Sequence, residues 1–197
     1  MQVQQRYYTP EEYLALEEAA EQKSEYRDGK IIPMTGGTVD HNQIAGNFYI
    51  ALSIALRNRN YYSYIGDVRL WIPEKRIYTY PDVMVIAGQP EYYSNRRDTV
   101  TNPQVLIEVL LESTKAYDRS EKFQAYSTIA SFQEYILVDQ TKISIEQFSK
   151  TGIKQWAFRL YDEEDEAIEF TSIEAQILLA DLYNKVEFEA PFESPEA

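Results

Sequence analysis

Two carboxylates in apolar surroundings are the side chains of this sequence best suited to chemistry. Glu108 lies within Val105–Leu110, where every other residue is apolar, and Asp82 follows Pro81 at the start of another apolar run. An ionised carboxylate in a buried strand is costly unless it is paired with a cation or bound to a metal. Two carboxylates together, with water and phosphate in the open positions, suit Mg²⁺ or Mn²⁺. Such a site polarises a phosphoryl oxygen and lowers the pKa of a bound water.

Each carboxylate also has a purely structural interpretation. Glu108 could pair with a cation such as Arg69 or a lysine, and Asp82 could be the turn residue that its position after Pro81 suggests. The two together favour a site, because their separation of 26 positions allows neighbouring strands to point both carboxylates at one place.

The composition excludes most other chemistries. The chain of 197 residues has no cysteine, which excludes disulfides, thiolate zinc sites, iron–sulfur clusters and cysteine nucleophiles. His41 is the single histidine, so a His-rich metal site is excluded, and a Ser–His–Asp hydrolase would depend on it without a nucleophile-elbow motif. The seven glycines form neither of the common phosphate-binding loops, so no nucleotide cofactor is expected.

Hydrophobic periodicity predicts one α/β domain that positions these carboxylates. Thr9 and Glu12 form a capping box at a helix start, and Asp28-Gly29 marks a hairpin turn. The predicted helices cover residues 10–21, 41–57, 118–130 and 175–183. The predicted strands cover residues 24–27, 30–34, 64–72, 82–87, 104–111, 135–138, 143–148 and 155–160. Some of these runs are short and nearly continuous in apolar residues, as strands buried on both faces of a sheet are.

The negative charge of the chain is concentrated towards its C-terminal end. Residues 161–197 hold twelve of the 32 acidic residues and one of the 19 basic ones, so residues 1–160 are nearly neutral. The net charge of −13 therefore says little about a partner such as DNA, because binding follows the local potential. We predict a single domain over residues 1–186 and an acidic, flexible tail over residues 187–197.

Six segments follow one pattern in order along the chain. They are Glu25-Tyr26-Arg27-Asp28-Gly29-Lys30, His41, Pro81-Asp82, the run from Ile107 to Thr114, the run from Asp118 to Tyr126, and the run from Glu134 to Asp139. This pattern resembles that of the Uma-two family of restriction endonucleases, a domain of long-uncertain function in the PD-(D/E)XK nuclease superfamily. The resemblance covers roughly residues 8–185. It implies an α/β restriction-endonuclease-like fold, in which α-helices flank a mixed central β-sheet.

The resemblance also implies roles for individual acidic residues. Asp82 and Glu108 match the family's metal ligands. Glu25 matches a carboxylate that the family keeps near the site, which makes it a candidate third ligand. A hairpin surface position is the alternative for Glu25.

The lysine of the superfamily is displaced in this sequence. It normally lies two residues after the glutamate, where this chain has Leu110. Lys122 is the candidate for this lysine in the present sequence. It shares one face of the predicted helix with Tyr126, which lies four residues further along. A lysine at the site would orient the attacking water and offset charge on the pentavalent phosphate. A solvated helix lysine is the alternative.

Three further residues are candidates for accessory contacts. His41 could hydrogen-bond a phosphate or a site carboxylate, or be a satisfied helix-cap or surface histidine. Arg96 and Arg97, in the loop before Pro103, are the best basic candidates for contact with a DNA backbone, and an ordinary surface pair is the alternative. Two clusters among the 17 tyrosines, at positions 61–64 and 92–93, could stack on nucleotides, although in a sheet-rich protein they are more often packing residues.

The residues and the resemblance together predict an endonuclease that uses Mg²⁺ (or Mn²⁺) and hydrolyses DNA with a metal-activated water. The alternative is a non-catalytic relative that uses the same fold to bind DNA or protein. A homodimer is expected, because two sites related by a two-fold axis can cut both strands. No apolar stretch suits a signal peptide or a membrane span, so we expect a soluble, cytoplasmic protein with no membrane partner.

Overall fold

Strands make up most of the regular structure of the chain. The computed structural model describes residues 6–188. The helices are α1 (Pro10–Ala19), α2 (Val39–Ala55), α3 (Lys115–Tyr117), α4 (Phe123–Tyr126) and α5 (Leu179–Leu182). The strands are β1 (Ser24–Arg27), β2 (Lys30–Pro33), β3 (Tyr61–Ile65), β4 (Arg69–Ile72), β5 (Ile77–Thr79), β6 (Val83–Ala87), β7 (Thr99–Val100), β8 (Val105–Leu110), β9 (Glu134–Asp139), β10 (Ile145–Gly152), β11 (Gln155–Tyr161), β12 (Ala167–Phe170) and β13 (Ala175–Leu178). A π-helical turn, Asp118–Lys122, joins α3 and α4 into one continuous helix.

The strands form a larger and a smaller mixed sheet and one separate pair. The larger sheet has the order β11-β10-β9-β8-β6-β3, in which β8 and β9 run parallel and the other neighbours run antiparallel. The smaller sheet has the order β2-β1-β5-β4-β7, and β12 pairs with β13. A mixed sheet flanked by helices is the architecture that the sequence predicts.

Strand β8 is buried along its whole length because both faces of the larger sheet are covered. Val105, Ile107 and Val109 pack into the same core as the buried face of α2. Leu106 and Leu110 pack on the other face with aromatic residues of α4 and β9. The nearly continuous apolar sequence of β8 follows from this double burial, and Glu108 is the one charged residue within it.

Two stretches differ from the sequence-based prediction near the site. The predicted strand 64–72 is two strands, β3 and β4, which belong to different sheets. The chain turns between them at Gly66, whose φ of 63° lies in the left-handed region that glycine adopts without strain. The third helix begins at Lys115 instead of Asp118, and the expected cap at Asp118 lies within the helix.

The predicted final helix, 175–183, is wrong over its first half. Ala175–Leu178 is a strand with alternating burial, and the helix that follows is only α5. Thr171 and Glu174 resemble a capping box, but Glu174 has a φ of 47°, which is incompatible with the first turn of a helix. The residues turn the chain between β12 and β13 instead.

Two sequence-based expectations, the acidic tail and the lack of a membrane span, can be compared only with the described residues. Of the predicted acidic tail, 187–197, residues 189–197 lie outside them. Over residues 6–188, the helices lack the length and apolar character that crossing a membrane requires.

Another buried carboxylate, Glu134, connects the C-terminal strand pair to the larger sheet. Its side chain is fully buried and accepts hydrogen bonds from the side chains of Gln147 and Ser149 on β10. It also accepts the backbone N–H groups of Thr171 and Ser172, at 3.0 and 3.1 Å, at the turn that follows β12. The charge is balanced here by a shell of donors, which is the condition for burying it.

Replacing Glu134 with Ala is expected to lower the free energy of unfolding by about 3 kcal/mol, because several buried hydrogen-bond donors lose their acceptor at once. Exposed Glu163, which makes no side-chain hydrogen bond among residues 6–188, provides the control. Its replacement with Ala should change stability by less than about 0.5 kcal/mol. Urea unfolding of both variants measures the difference, and equal stabilities would contradict a structural role for Glu134.

Candidate functional site

Asp82 and Glu108 come from neighbouring strands of the larger sheet. Strands β6 and β8 pair antiparallel with Val83 opposite Ile107, so Asp82 and Glu108 are opposite one another one residue further along. Opposite residues of an antiparallel pair point to the same face of the sheet. The Asp82 carboxylate also continues the ladder, since its Oδ2 accepts the backbone N–H of Val109 at 2.8 Å.

The Glu108 side chain, only 5% exposed, is held by two donors from the helix that covers this face. Lys122 Nζ lies 2.8 Å from Glu108 Oε1, and the Tyr126 hydroxyl donates to the same oxygen at 2.6 Å. Lys122 and Tyr126 are four residues apart, so they share one face of the helix. The structure thus brings the displaced lysine of the sequence analysis into direct contact with Glu108.

The π-helical turn belongs to this arrangement. A π turn inserts one extra residue into a helix and often occurs at functional sites. Here it spans Asp118–Lys122 and ends at the buried lysine, whose Nζ also lies 3.3 Å from the Asp118 carboxylate. The Tyr135 hydroxyl on β9 donates to the backbone carbonyl oxygen of Asp118 at 3.0 Å and so ties the turn to the sheet.

Burial and charge act in opposite directions on the two ionisable groups of this pair. Burial raises the pKa of Glu108, and the charge of Asp82 adds a smaller contribution in the same direction, whereas the adjacent ammonium of Lys122 lowers it and favours the ionised carboxylate. Burial alone would lower the pKa of Lys122, but the nearby carboxylates of Glu108, Asp118 and Glu25 raise it well above its usual value. The lysine therefore keeps its positive charge in the interior.

His41 approaches the site from the start of α2. Thr38 caps this helix by accepting the backbone N–H of His41 at 3.0 Å, which places the imidazole in the first turn. Its Nε2 lies 3.2 Å from Asp82 Oδ2. Burial disfavours the imidazolium, but the hydrogen bond and charge of Asp82 raise the pKa of His41 overall. His41 therefore contacts a site carboxylate, one of the two roles considered for it from the sequence.

Glu25 is buried beside the site, on β1 of the smaller sheet. Its Oε1 accepts the Thr79 hydroxyl and its Oε2 accepts Arg27 Nε at 2.9 Å. Burial opposes its ionisation, yet the positive charges of Lys122 and Arg27 lower the pKa of Glu25. Both oxygens are engaged within the protein, so Glu25 acts on Lys122 through its charge and is a poor third metal ligand.

Two carboxylates remain as metal donors. Asp82 Oδ1 and Glu108 Oε2 accept no hydrogen bond from residues 6–188, whereas the other oxygen of each carboxylate does. Within the same residues, no cluster of three or more His, Asp or Glu side chains is arranged to hold a metal. Mg²⁺ keeps several waters and is commonly bound through one or two carboxylates plus substrate phosphates. The donor set fits such an ion and does not fit a metal held entirely by protein ligands.

The two arginines predicted to contact DNA have other partners. Arg96 forms ion pairs with Glu18 at 2.6 Å and with Asp98 at 3.2 Å. Arg97 is exposed, and its guanidinium lies 5.8 Å from the centre of the Tyr92 ring. Arg97 is thus the more available of the two for a phosphate.

Three contributors to the site are absent from the sequence-based prediction. Asp118 is a second carboxylate for Lys122, Thr79 orients Glu25, and Tyr117 packs on the guanidinium of Arg27. The spacing of Asp118 and Lys122, four residues apart, is the signal that could have indicated the first. Thr79 lies on a separate strand, and only the pairing of β1 with β5 brings it near Glu25.

Comparison with known proteins identifies relatives over most of the chain. The family model Uma2, described as "Putative restriction endonuclease", matches residues 10–180. "Uncharacterized protein sll1609" from Synechocystis sp. (strain ATCC 27184 / PCC 6803 / Kazusa) is 41% identical over 163 residues, which are 83% of this chain and 92% of that protein. "Uncharacterized protein slr1290" from the same organism is 32% identical over 180 residues, 91% of this chain and 93% of that protein.

A solved structure shares the fold. The crystal structure of "a putative nuclease belonging to DUF820" from Anabaena variabilis ATCC 29413 aligns with a TM-score of 0.72 and 19% identity. The alignment covers 89% of this chain and 97% of that one. The family match confirms the resemblance noted in the sequence, and this alignment confirms the predicted fold class.

A double-mutant cycle measures the coupling inside the buried pair. Lys122→Met leaves Glu108 without its cation, whereas Lys122→Met combined with Glu108→Gln removes both charges. We expect the combined variant to be less destabilised than the sum of the single ones by about 2 kcal/mol. The exposed pair of Lys115 and Glu112, 2.6 Å apart, is the control. The same substitutions there should give a coupling below about 1 kcal/mol. Additive effects of Lys122→Met and Glu108→Gln in urea unfolding would contradict a coupled buried pair.

Proposed function

The chain belongs to the Uma2 family, whose description is "Putative restriction endonuclease", and from this we propose that it is a Mg²⁺- or Mn²⁺-dependent endonuclease that hydrolyses phosphodiester bonds of DNA. The observation that carries the proposal is the buried Glu108 carboxylate, which stands opposite Asp82 and in contact with Lys122. Burial of the charged groups of Glu108 and Lys122, with the half-buried Asp82 beside them, costs stability. Chemistry at that place is a reason for a fold to retain them.

The site fits a hard divalent cation held by Asp82 and Glu108. When bound, such an ion polarises a phosphoryl oxygen and provides a nucleophilic water near neutral pH. Asp82 and Glu108 each have one oxygen available for it among the described residues. This pair of carboxylates supports a site of the PD-(D/E)XK type, in which we propose that the lysine has moved from the strand to the helix.

The remaining residues orient the two carboxylates and supply positive charge. Tyr126 and Lys122 fix one oxygen of Glu108 through short contacts and so hold its rotamer. His41 and the backbone N–H of Val109 do the same for Asp82. Lys122 keeps its proton, so it can stabilise the negative charge that develops on a phosphate beside Glu108.

A non-catalytic module that binds DNA or protein is the second candidate. One observation favours it: Lys122 already neutralises Glu108, so the buried cluster is electrostatically satisfied by the protein alone. A structural ion pair of this kind needs no metal. Metal binding at Asp82 and Glu108 separates the two candidates.

Glu108→Gln should abolish cleavage while the fold is retained, because it removes ligand charge at nearly constant shape. We expect a loss of at least about three decades in rate, equivalent to about 4 kcal/mol. The measurement is plasmid nicking and linearisation with Mg²⁺, with Mn²⁺ and with chelator, alongside circular dichroism. A parent protein that cuts in none of these conditions, or a variant that cuts like the parent, would refute the proposal.

Lys122→Met should slow cleavage by about two to four decades, as the loss of a charge-stabilising group does, while Asp82 and Glu108 continue to bind metal. Lys115→Met is the matched control, because that lysine is exposed and paired only with Glu112 among the described residues. Adding Leu110→Lys to Lys122→Met returns an ammonium to the same strand face as Glu108 and should restore part of the rate. Equal rates for Lys122→Met and Lys115→Met would show that the displaced lysine has no role.

We also propose that the protein forms a homodimer through strand β11. This strand is an edge of the larger sheet, and Phe158 and Leu160 on one of its faces are 58% and 53% exposed. Exposed apolar edge strands pair with another chain unless something blocks them. Lys154 lies four residues before Phe158, and Asp162 lies four residues after it. If two copies pair antiparallel with Phe158 opposite Phe158, the lysine of each copy is therefore opposite the aspartate of the other.

Phe158→Glu with Leu160→Glu should convert the dimer to a monomer, because four carboxylates would face one another across the interface. The control is Ile50→Glu with Ile54→Glu, which changes two apolar residues on α2 that are at least as exposed as Leu160. Size-exclusion chromatography with light scattering gives the mass of each. A monomeric parent, or a dimer disrupted only by the α2 substitutions, would contradict the β11 interface.

A further inference from the structure

A cleft of about 460 Å³ lies between the smaller sheet and the helix that carries Lys122. One wall is formed by Arg27 and Lys30 of the β1–β2 hairpin and by Lys75 before β5. The other wall is formed by Tyr117, Glu121 and Gln124 of the helix. The volume lies within the range of about 300–1,000 Å³ that is usual for sites binding small organic ligands.

The cleft has an excess of positive charge in a strongly acidic protein, since three cationic side chains line it against the two carboxylates of Asp28 and Glu121. The chain carries a net charge of −13, yet Lys30 and Lys75 are exposed and have no carboxylate within 4.0 Å among residues 6–188. Asp28, which also borders the cleft, is engaged by Arg76 at 3.0 Å and by the Tyr7 hydroxyl at 2.7 Å. The lysines are therefore available to an anion from outside.

Arg27 connects the cleft to the carboxylate site. Its Nε donates to Glu25 at 2.9 Å on one side. Its guanidinium lies 3.5 Å from the centre of the Tyr117 ring, so the two side chains stack. Lys30 is directly opposite Arg27 in the hairpin register, which puts both cationic side chains on one side of the sheet. The row of cations thus begins at the wall of the proposed active site and runs outward.

We propose that this cleft receives a single DNA strand next to the phosphate to be cut, with Lys30 and Lys75 contacting its backbone and the Arg27–Tyr117 pair forming a surface on which a base can stack. The inference rests on the proposed function and specifies its substrate. A cavity of this size admits about one nucleotide at a time but not a duplex. A substrate with a single-stranded or unpaired segment is therefore favoured over intact duplex.

Lysine contacts to phosphate make binding dependent on salt. Each contact to a single strand contributes about 0.7 to the slope of log K against log salt concentration. Lys30→Gln with Lys75→Gln should therefore reduce that slope by about 1.4 and weaken binding about tenfold or more at low salt. Stacking on the Arg27–Tyr117 pair is unaffected by these substitutions, so some binding should persist.

Binding of the protein to a fluorescently labelled DNA is measured by anisotropy, once with the DNA as a single strand and once as a duplex. The DNA has about 20 nucleotides, which exceeds the roughly 4–16 nucleotides that single-strand binding sites cover. Chelator is present throughout, so that no cleavage occurs. The control is Lys150→Gln with Lys185→Gln, which changes the net charge by the same amount at two lysines that do not line the cleft. Arg97→Gln tests the alternative basic contact in the same series.

The expected result is a selective loss of single-strand affinity and salt slope in the Lys30/Lys75 variant, with the control and Arg97→Gln close to the parent. An equal loss of single-strand affinity in the control would show that the overall charge of the protein explains the effect, and this result would overturn the inference. Loss of duplex affinity alone, or no DNA binding by the parent, would overturn it as well.

The two proposals fail in different measurements. Metal-dependent cleavage that is unaffected by Lys30→Gln with Lys75→Gln, together with unchanged single-strand binding, would reject the cleft and leave the nuclease proposal standing. Strand binding through the cleft without any cleavage in Mg²⁺ or Mn²⁺ would reject the nuclease proposal and leave the cleft standing.

Discussion

The ion pair between Lys122 and Glu108, 2.8 Å apart in the protein interior, constrains the rest of the structure. Removing either charge from water costs several kcal/mol, and the cost is offset only when the partner sits at close range with its remaining hydrogen bonds made. The helix from Lys115 to Tyr126 must therefore pack on the sheet in one position, with Lys122 beside Glu108. The π turn at Asp118–Lys122 sets the rotation of the helix that gives this position. Tyr126 and Asp118 complete the set of partners.

The same pair connects the two sheets electrostatically. Glu108 belongs to the larger sheet, whereas Glu25 belongs to the smaller one, and both carboxylates act on the single ammonium of Lys122. Arg27 then extends the network to the cleft through its contacts with Glu25 and Tyr117. A displacement of the smaller sheet would change the charge environment at Glu108. The proposed catalytic group and the proposed strand-binding cleft are therefore parts of one network.

The residues with strong local signals could be predicted from the sequence. Glu108 stands out because it interrupts an apolar strand. Lys122 is indicated only by the family resemblance, in which the usual lysine position is occupied here by Leu110. The hairpin at Asp28 and Gly29 is fixed by residues that tolerate positive φ. These features depend on a few neighbouring residues, which is why one sequence suffices to find them.

The features that failed depend on contacts between distant segments. Periodicity cannot show that residues 64–72 divide between two sheets, because each half has the same strand-like composition. Ala175–Leu178 is short and apolar and becomes a strand only through its pairing with β12. The engagement of Glu25 by Thr79 likewise depends on which strand lies beside β1. Such pairings are set by tertiary packing, which overrides local propensity.

The proposed nuclease site requires that Asp82 and Glu108 together hold one divalent metal ion. Titration of metal-free protein with Mn²⁺, followed by electron paramagnetic resonance of the unbound ion, measures this without any DNA. We expect one ion per chain for the parent, no measurable binding for Asp82→Asn or Glu108→Gln, and retained binding for Glu25→Gln, because the Glu25 oxygens are engaged by Thr79 and Arg27. A parent that binds no Mn²⁺, or carboxylate variants that bind it as tightly as the parent, would contradict a metal site at Asp82 and Glu108.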